Sequence, residues 1–146
     1  MGKNDQKENM LQKLQENLPM ILSKYPSVLS AYLFGSAAQG VSGSFNDIDI
    51  AIRLDDGLSP ESNFDIRFQL TADFETKLGR KTDIVVLNNA SLKLIHQIIG
   101  KGRLLFAQNR EEEMNYILKK QKEYFDFKYY IKKDIREMKA YYGATR

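Results

Sequence analysis

One stretch of fifteen residues constrains this chain more than any other: Gly35-Ser36-Ala37-Ala38-Gln39-Gly40-Val41-Ser42-Gly43-Ser44-Phe45-Asn46-Asp47-Ile48-Asp49. Before it, Ala31-Tyr32-Leu33-Phe34 is a short apolar run stopped by Gly35, and at its end Asp47-Ile48-Asp49-Ile50-Ala51-Ile52 has the alternation of a strand. Side chains two apart on a strand share a face, so Asp47 and Asp49 point one way while Ile48, Ile50 and Ile52 point toward a core. Two carboxylates this close raise each other's pKa, a conflict that a cation between them removes. Mg²⁺ takes oxygen ligands and commonly uses one or two carboxylates together with substrate phosphates, which predicts phosphates nearby. Gly35 and Ser36 supply the matching half, a sharp backbone turn and a hydroxyl with neighbouring amides able to bond an oxyanion. A helical turn over Ser36 to Gln39 would favour the anion further. The stretch therefore reads as a nucleotide-and-metal site.

Composition sets the frame. With 146 residues, 42% hydrophobic and 28% charged, the chain suits one soluble domain spanning 1–146 with a real core. It has no apolar run near the roughly 20 residues that cross a bilayer, no hydrophobic signal region at its start, and no cysteine, which excludes disulfides and thiolate metal sites. A cytoplasmic address is expected. The net charge of +3 is carried by the tail: Arg110 to Arg146 holds ten Lys and Arg against seven Asp and Glu, with six of the eight tyrosines. Basic residues among aromatics point to nucleic acid, but the interleaved acids favour a solvated amphipathic helix and no direct nucleic-acid partner.

The remaining pattern is α/β, a small mixed sheet with flanking helices. Met10, Leu11, Leu14, Leu18, Ile21, Leu22 and Tyr25 recur at helical spacing, and Pro19 predicts two consecutive helices there. Strands are expected over Ser27 to Phe34, Asp47 to Leu54, Asp83 to Leu87 and Leu104 to Ala107. Asp55 to Pro60 reads as a loop, and Phe64, Phe68, Thr71, Phe74 and Leu78 mark a helix ending at Gly79. Ser91 is placed to cap a helix stopped by Gly100 and Gly102, whose only histidine, His96, reads as a packing or surface residue. From Glu111 to about Tyr142 apolar residues recur at helical spacing with no Pro or Gly. At about 1.5 Å per residue that helix is some 45 Å long, more than a small domain covers, so part of its face is expected to meet another protein.

Gly-Ser, ten residues, then Asp-x-Asp resembles the signature of the DNA polymerase β-like nucleotidyltransferase superfamily, and the short chain resembles its minimal MNT members. The resemblance implies a third carboxylate on a later strand, for which Asp83 in Lys81-Thr82-Asp83-Ile84-Val85-Val86-Leu87 is the candidate. Three carboxylates on adjacent strands hold two Mg²⁺ ions in this reading: Asp47 and Asp49 as metal ligands, Asp83 as ligand and proton acceptor, Gly35 and Ser36 on the donor's phosphates. The segment from His96 to Phe106, before the acidic start of the long helix, is similar to the antitoxins of HEPN/MNT toxin–antitoxin pairs. That likeness implies ATP as donor and transfer of AMP to a tyrosine of a partner HEPN-domain (HepT-like) ribonuclease toxin, bound in a hetero-oligomer through the C-terminal helix, 110–146. Asn46 stands where superfamily members often have serine, a minor departure between small polar residues. Lys101 and Arg103 read as a solvated strand edge rather than as phosphate contacts. The rival readings are a drug-modifying nucleotidyltransferase and a non-catalytic antitoxin that masks its toxin.

Overall fold

A computed structural model of the chain describes residues 3–35, 38 and 47–143. The elements are α1 (Lys3–Leu22), β1 (Val28–Phe34), β2 (Asp47–Leu54), α2 (Pro60–Leu78), β3 (Lys81–Val86), a 3-10 turn (Leu87–Asn89), α3 (Leu92–Lys101), β4 (Arg103–Ala107) and α4 (Arg110–Gly143). The four strands form one sheet in the order β3-β2-β1-β4, with β2 parallel to β3 and the other neighbours antiparallel, so the sheet is mixed as expected.

Alternation along β2 decides what each face does. Ile48, Ile50, Ile52 and Leu54 are buried with Leu14, Leu18 and Ile21 of α1 and Leu70, Phe74 and Leu78 of α2, forming the larger core. The opposite face of the sheet carries Tyr32 and Ala51 under Ile95 and Ile98 of α3, a smaller core that the start of α4 completes. Asp47, Asp49 and Arg53 belong by alternation to that second face.

Pro19 does not divide α1. The helix runs through it, with Ser23 N–H donating to the Pro19 carbonyl at 3.0 Å. An interior proline costs about 3 kcal/mol, but Leu18, Ile21 and Leu22 on either side are buried, and each contributes roughly 1.5–3 kcal/mol. Packing outweighs the lost hydrogen bond. Helix α2 begins earlier than its aromatic markers suggest, because Ser59 caps it by accepting from Ser62 N–H and Pro60 occupies the first turn. Gly79 ends it at φ 66°, as expected. Phe64 and Phe68, two of those markers, are exposed and stack on each other. Gly100 lies inside α3; the terminating glycine is Gly102, where a Cβ would stand 2.8 Å from the Leu33 carbonyl oxygen.

Helix α4 is unbroken over 34 residues, roughly 50 Å at about 1.5 Å per residue. Its root is fastened to the sheet by Glu113, which is fully buried. Arg53 donates to Glu113 through Nε at 2.9 Å and Nη2 at 2.6 Å, and the Tyr32 hydroxyl donates to its other oxygen. Burial, and then this contact with Glu113, push the Tyr32 phenol far above its ordinary range. Tyr116 lies over the Arg53 guanidinium at 4.7 Å, and Tyr124 stacks on His96 at 3.8 Å. From Phe125 to Gly143 every residue is exposed. No described helix is long and apolar enough to cross a membrane.

Two stability predictions follow from these contacts. Glu113→Leu removes both hydrogen bonds of the half-buried Arg53 to its carboxylate, leaving only exposed Glu112 at 3.9 Å, and is expected to cost about 3 kcal/mol in urea unfolding. Restoring neutrality with Arg53→Met in the same chain should recover most of that loss. Tyr25 donates to Asp73 at 2.5 Å, and burial, then the hydrogen bond and charge of Asp73, push its phenol up to about 12. Because the folded state favours the neutral phenol, this contribution is complete below about pH 10, the unfolded value. It is lost as pH rises toward 12, so Tyr25→Phe should flatten that part of the alkaline unfolding curve.

Candidate active site

The site forms where β1 ends and β2 and β3 begin. Phe34 pairs with Asp49 across the antiparallel ladder, and Asp49 pairs with Asp83 across the parallel one. Strand neighbours in register project side chains to the same face, so these two carboxylates stand side by side on adjacent strands. Asp49 is half-buried and Asp83 exposed. The Asp49 carboxyl is raised above its ordinary value, first by burial, then by the negative charge of Asp83, then by that of Asp47. Asp47 is exposed at the start of β2 and borders a cleft of about 660 Å³ with Lys13, Arg80 and Lys81.

Gly35 has a positive φ of 75° and lies against Asp49, where any Cβ would collide with the carboxylate. Glycine is needed twice over here, for the left-handed backbone and for the close approach. Beside it a cavity of about 280 Å³ is bounded by Phe34, Gly35, Leu94, Gln97, Ile98 and Lys101. Gln97 had no motif to mark it in the sequence; only the packing of α3 across the end of β1 brings it here. Lys101 is the last residue of α3 and not part of a strand edge, whereas Arg103 opens the edge strand β4. Ser36 and Asn46 lie outside the described residues. His96 is a packing residue, stacked on Tyr124 with Nδ1 buried and unpaired among the described residues.

The structure thus brings Asp49, Asp83 and Gly35 together and sets Asp47 at the margin. Among the described residues no three acidic or imidazole groups form a complete metal cage. A cage is not what Mg²⁺ requires, since one or two carboxylates with substrate phosphates suffice. Adjacent oxygen donors, one of them held above its ordinary pKa first by burial and then by neighbouring negative charge, fit such an ion.

Residues 16–111 match the family described as Polymerase beta, Nucleotidyltransferase. The chain is 30% identical over 106 residues to the protein adenylyltransferase MntA of Shewanella oneidensis, covering 71% of this chain and 73% of that protein. A crystal structure of a toxin–antitoxin with AMP-PNP is similar at 25% identity and a TM-score of 0.67, over 85% of this chain and 97% of the other. The fold also matches a tri-AMPylated Shewanella oneidensis HEPN toxin in complex with MNT antitoxin, at 23% identity and a TM-score of 0.64 over 87% and 97% of the two chains. The fold and site define an α/β class with a mixed sheet and carboxylates on two neighbouring strands. The chain belongs to the polymerase β-type nucleotidyltransferase family.

Gly35→Ala and Gly79→Ala separate the two demands on Gly35. Both glycines have positive φ, but nothing lies within 4 Å of a Cβ on Gly79. Gly79→Ala should cost only the backbone component, about 1–2 kcal/mol. Gly35→Ala should cost clearly more in urea unfolding, because Asp49 must also move. Equal losses would show that the carboxylate swings aside freely.

Proposed function

We propose that this chain is an antitoxin adenylyltransferase that moves AMP from ATP onto a tyrosine of a partner HEPN-domain toxin and so silences it, in the cytoplasm. The observation that carries the reading is the register pairing of Asp49 with Asp83 beneath Gly35. Likeness to a protein adenylyltransferase and to a toxin–antitoxin holding an ATP analogue supports the donor and the partner. In this reading residues 1–146 make one nucleotidyltransferase unit, with 110–146 as a helical extension toward the toxin.

The chemistry assigns each residue a task. Gly35 and Ser36 hold the donor phosphates, the glycine by letting the backbone approach and the serine by its hydroxyl. Asp47, Asp49 and Asp83 would hold Mg²⁺, two ions in the full arrangement, which when bound neutralise triphosphate charge and orient it. The tyrosine oxygen of the toxin attacks the α-phosphorus. The bond from that phosphorus to the bridging oxygen breaks, and pyrophosphate leaves with the electron pair. Asp83, exposed at the strand edge, accepts the phenolic proton as the new P–O bond forms. Removing such a base lowers rates by about 10²–10⁴-fold, which is the loss expected for Asp83→Asn. Asp49 is the least able of the three to lose its place, because the backbone of Gly35 closes over it.

One observation favours a second reading. The exposed face of α4 carries Phe125, Ile131, Ile135, Met138 and Tyr142, apolar surface enough to mask a toxin by contact alone. Purified chain with labelled ATP, Mg²⁺ and the HEPN protein encoded beside it separates the two. Labelling of the HEPN protein, abolished by Asp47→Ala together with its neutralisation, is the expected result. Full neutralisation by an Asp47→Ala chain that no longer labels would make masking the operative function.

A further inference from the structure

Strand β3, which carries Asp83, is an outer strand of the sheet. An edge strand presents a row of backbone N–H and C=O groups that the sheet leaves unpaired. Within β3 there is no proline, its register with β2 runs without a bulge from Lys81 to Val86, and its charged residues, Lys81 and Asp83, lie in its first half, leaving the Ile84–Val86 half uncharged. Beside this edge α2 and the turn after β3 leave a cleft of about 540 Å³, bounded by Asn63, Phe64 and Arg67 on one side and by Val85, Val86 and Asn89 on the other.

Three features of its wall point to a ligand. The Asn63 amide oxygen is buried with no hydrogen-bond partner among the described residues, a costly state that an incoming N–H would relieve. Phe64 and Phe68 stack with centroids 6.3 Å apart, yet are 63% and 69% exposed. Arg67, which borders both this cleft and the groove along Phe68, makes no ion pair with a described residue.

We propose that this cleft seats the acceptor segment of the partner, a stretch of polypeptide lying extended along β3 as an added strand. The proposal rests on the transferase reading above and names how the acceptor is held. Along β3, Asp83 and Val85 share the catalytic face, while Ile84 and Val86 face the α2 side. A paired segment has the same alternation, so a tyrosine placed toward Asp83 sends its two neighbours toward Phe64 and Arg67. The segment is therefore a tyrosine flanked by an apolar and an acidic residue, the acid being the complement of Arg67. Main-chain hydrogen bonds supply affinity and the alternate pockets supply specificity, as in other additions of a strand to a sheet edge.

With the HEPN protein as acceptor, Phe64→Ser/Arg67→Glu is expected to raise KM for that protein about tenfold and to leave KM for ATP unchanged. Both positions are exposed, so the fold should tolerate the change. Independently, adding the HEPN protein to an Asp49→Asn chain should slow hydrogen exchange at the outward amides of residues 83–86, and the double substitution should abolish that slowing. An unchanged KM for the acceptor, or β3 amides that exchange equally fast with and without it, overturns the proposal. The exchange measurement needs no turnover. Protection of β3 in a chain whose wild type transfers no nucleotide would uphold the seat and sink the transferase reading instead.

Discussion

The parallel register between β2 and β3 is the constraint on which the site depends. It sets Asp49 beside Asp83, and because side chains alternate, a slip of one residue would turn one carboxylate into the larger core and expose an isoleucine in its place. What prevents the slip is hydrophobic. Ile48, Ile50 and Ile52 of β2 and Ile84 and Val86 of β3 are all buried against α1 and α2. Like charges at neighbouring positions oppose the pairing, yet several buried aliphatic side chains at roughly 1.5–3 kcal/mol each outweigh that repulsion. The fold holds the acids together at a cost that a bound cation would remove.

The same face of β2 also anchors α4. Arg53 lies four residues beyond Asp49, and its guanidinium reaches Glu113 at the root of the helix. Removing two charges from water costs several kcal/mol per ion, so a buried pair is tolerable only when its hydrogen bonds are filled. Glu113 meets that condition with two donors from Arg53 and one from Tyr32. The arrangement specifies one orientation of a helix that the small core alone, with Ile95, Ile98 and half-buried Tyr116 and Ile117, would hold less uniquely.

Much of this was legible in the sequence where the signal was local. Strict alternation fixed both ends of β2, and Ser91 and Gly79 marked helix ends because caps act within one turn. Asp83 was found through the family pattern; only the register shows it beside Asp49. Apart from the start of α2, where the local cap of Ser59 and Pro60 was read as loop, the misses share a cause: distant packing overrides local rules. Pro19 suggested a break that buried Leu18 and Ile21 forbid. Glu113 looked like one of three acids at a helix start, because its partners Arg53 and Tyr32 lie 60 and 81 residues away in the chain. An arginine on the acidic face of β2 was the available clue, since a charge in a covered strand needs a partner.

The geometry also bears on why a small transferase keeps so long a helix. Arg53 is about 13 Å from Asp49 at roughly 3.3 Å per residue, and both lie on the face over which α4 is rooted. In the proposed transferase, a partner that grips the apolar surface of α4 beyond Phe125 would be held on the same molecule as the carboxylates before any acceptor side chain is engaged. Linking two contacts in this way makes the second intramolecular, with effective concentrations in the millimolar range when the span is matched. Weak recognition at the proposed acceptor tyrosine would then suffice. A site whose outermost acid, Asp83, is exposed on an edge strand could use such an acceptor, because nothing needs to close over it to secure it.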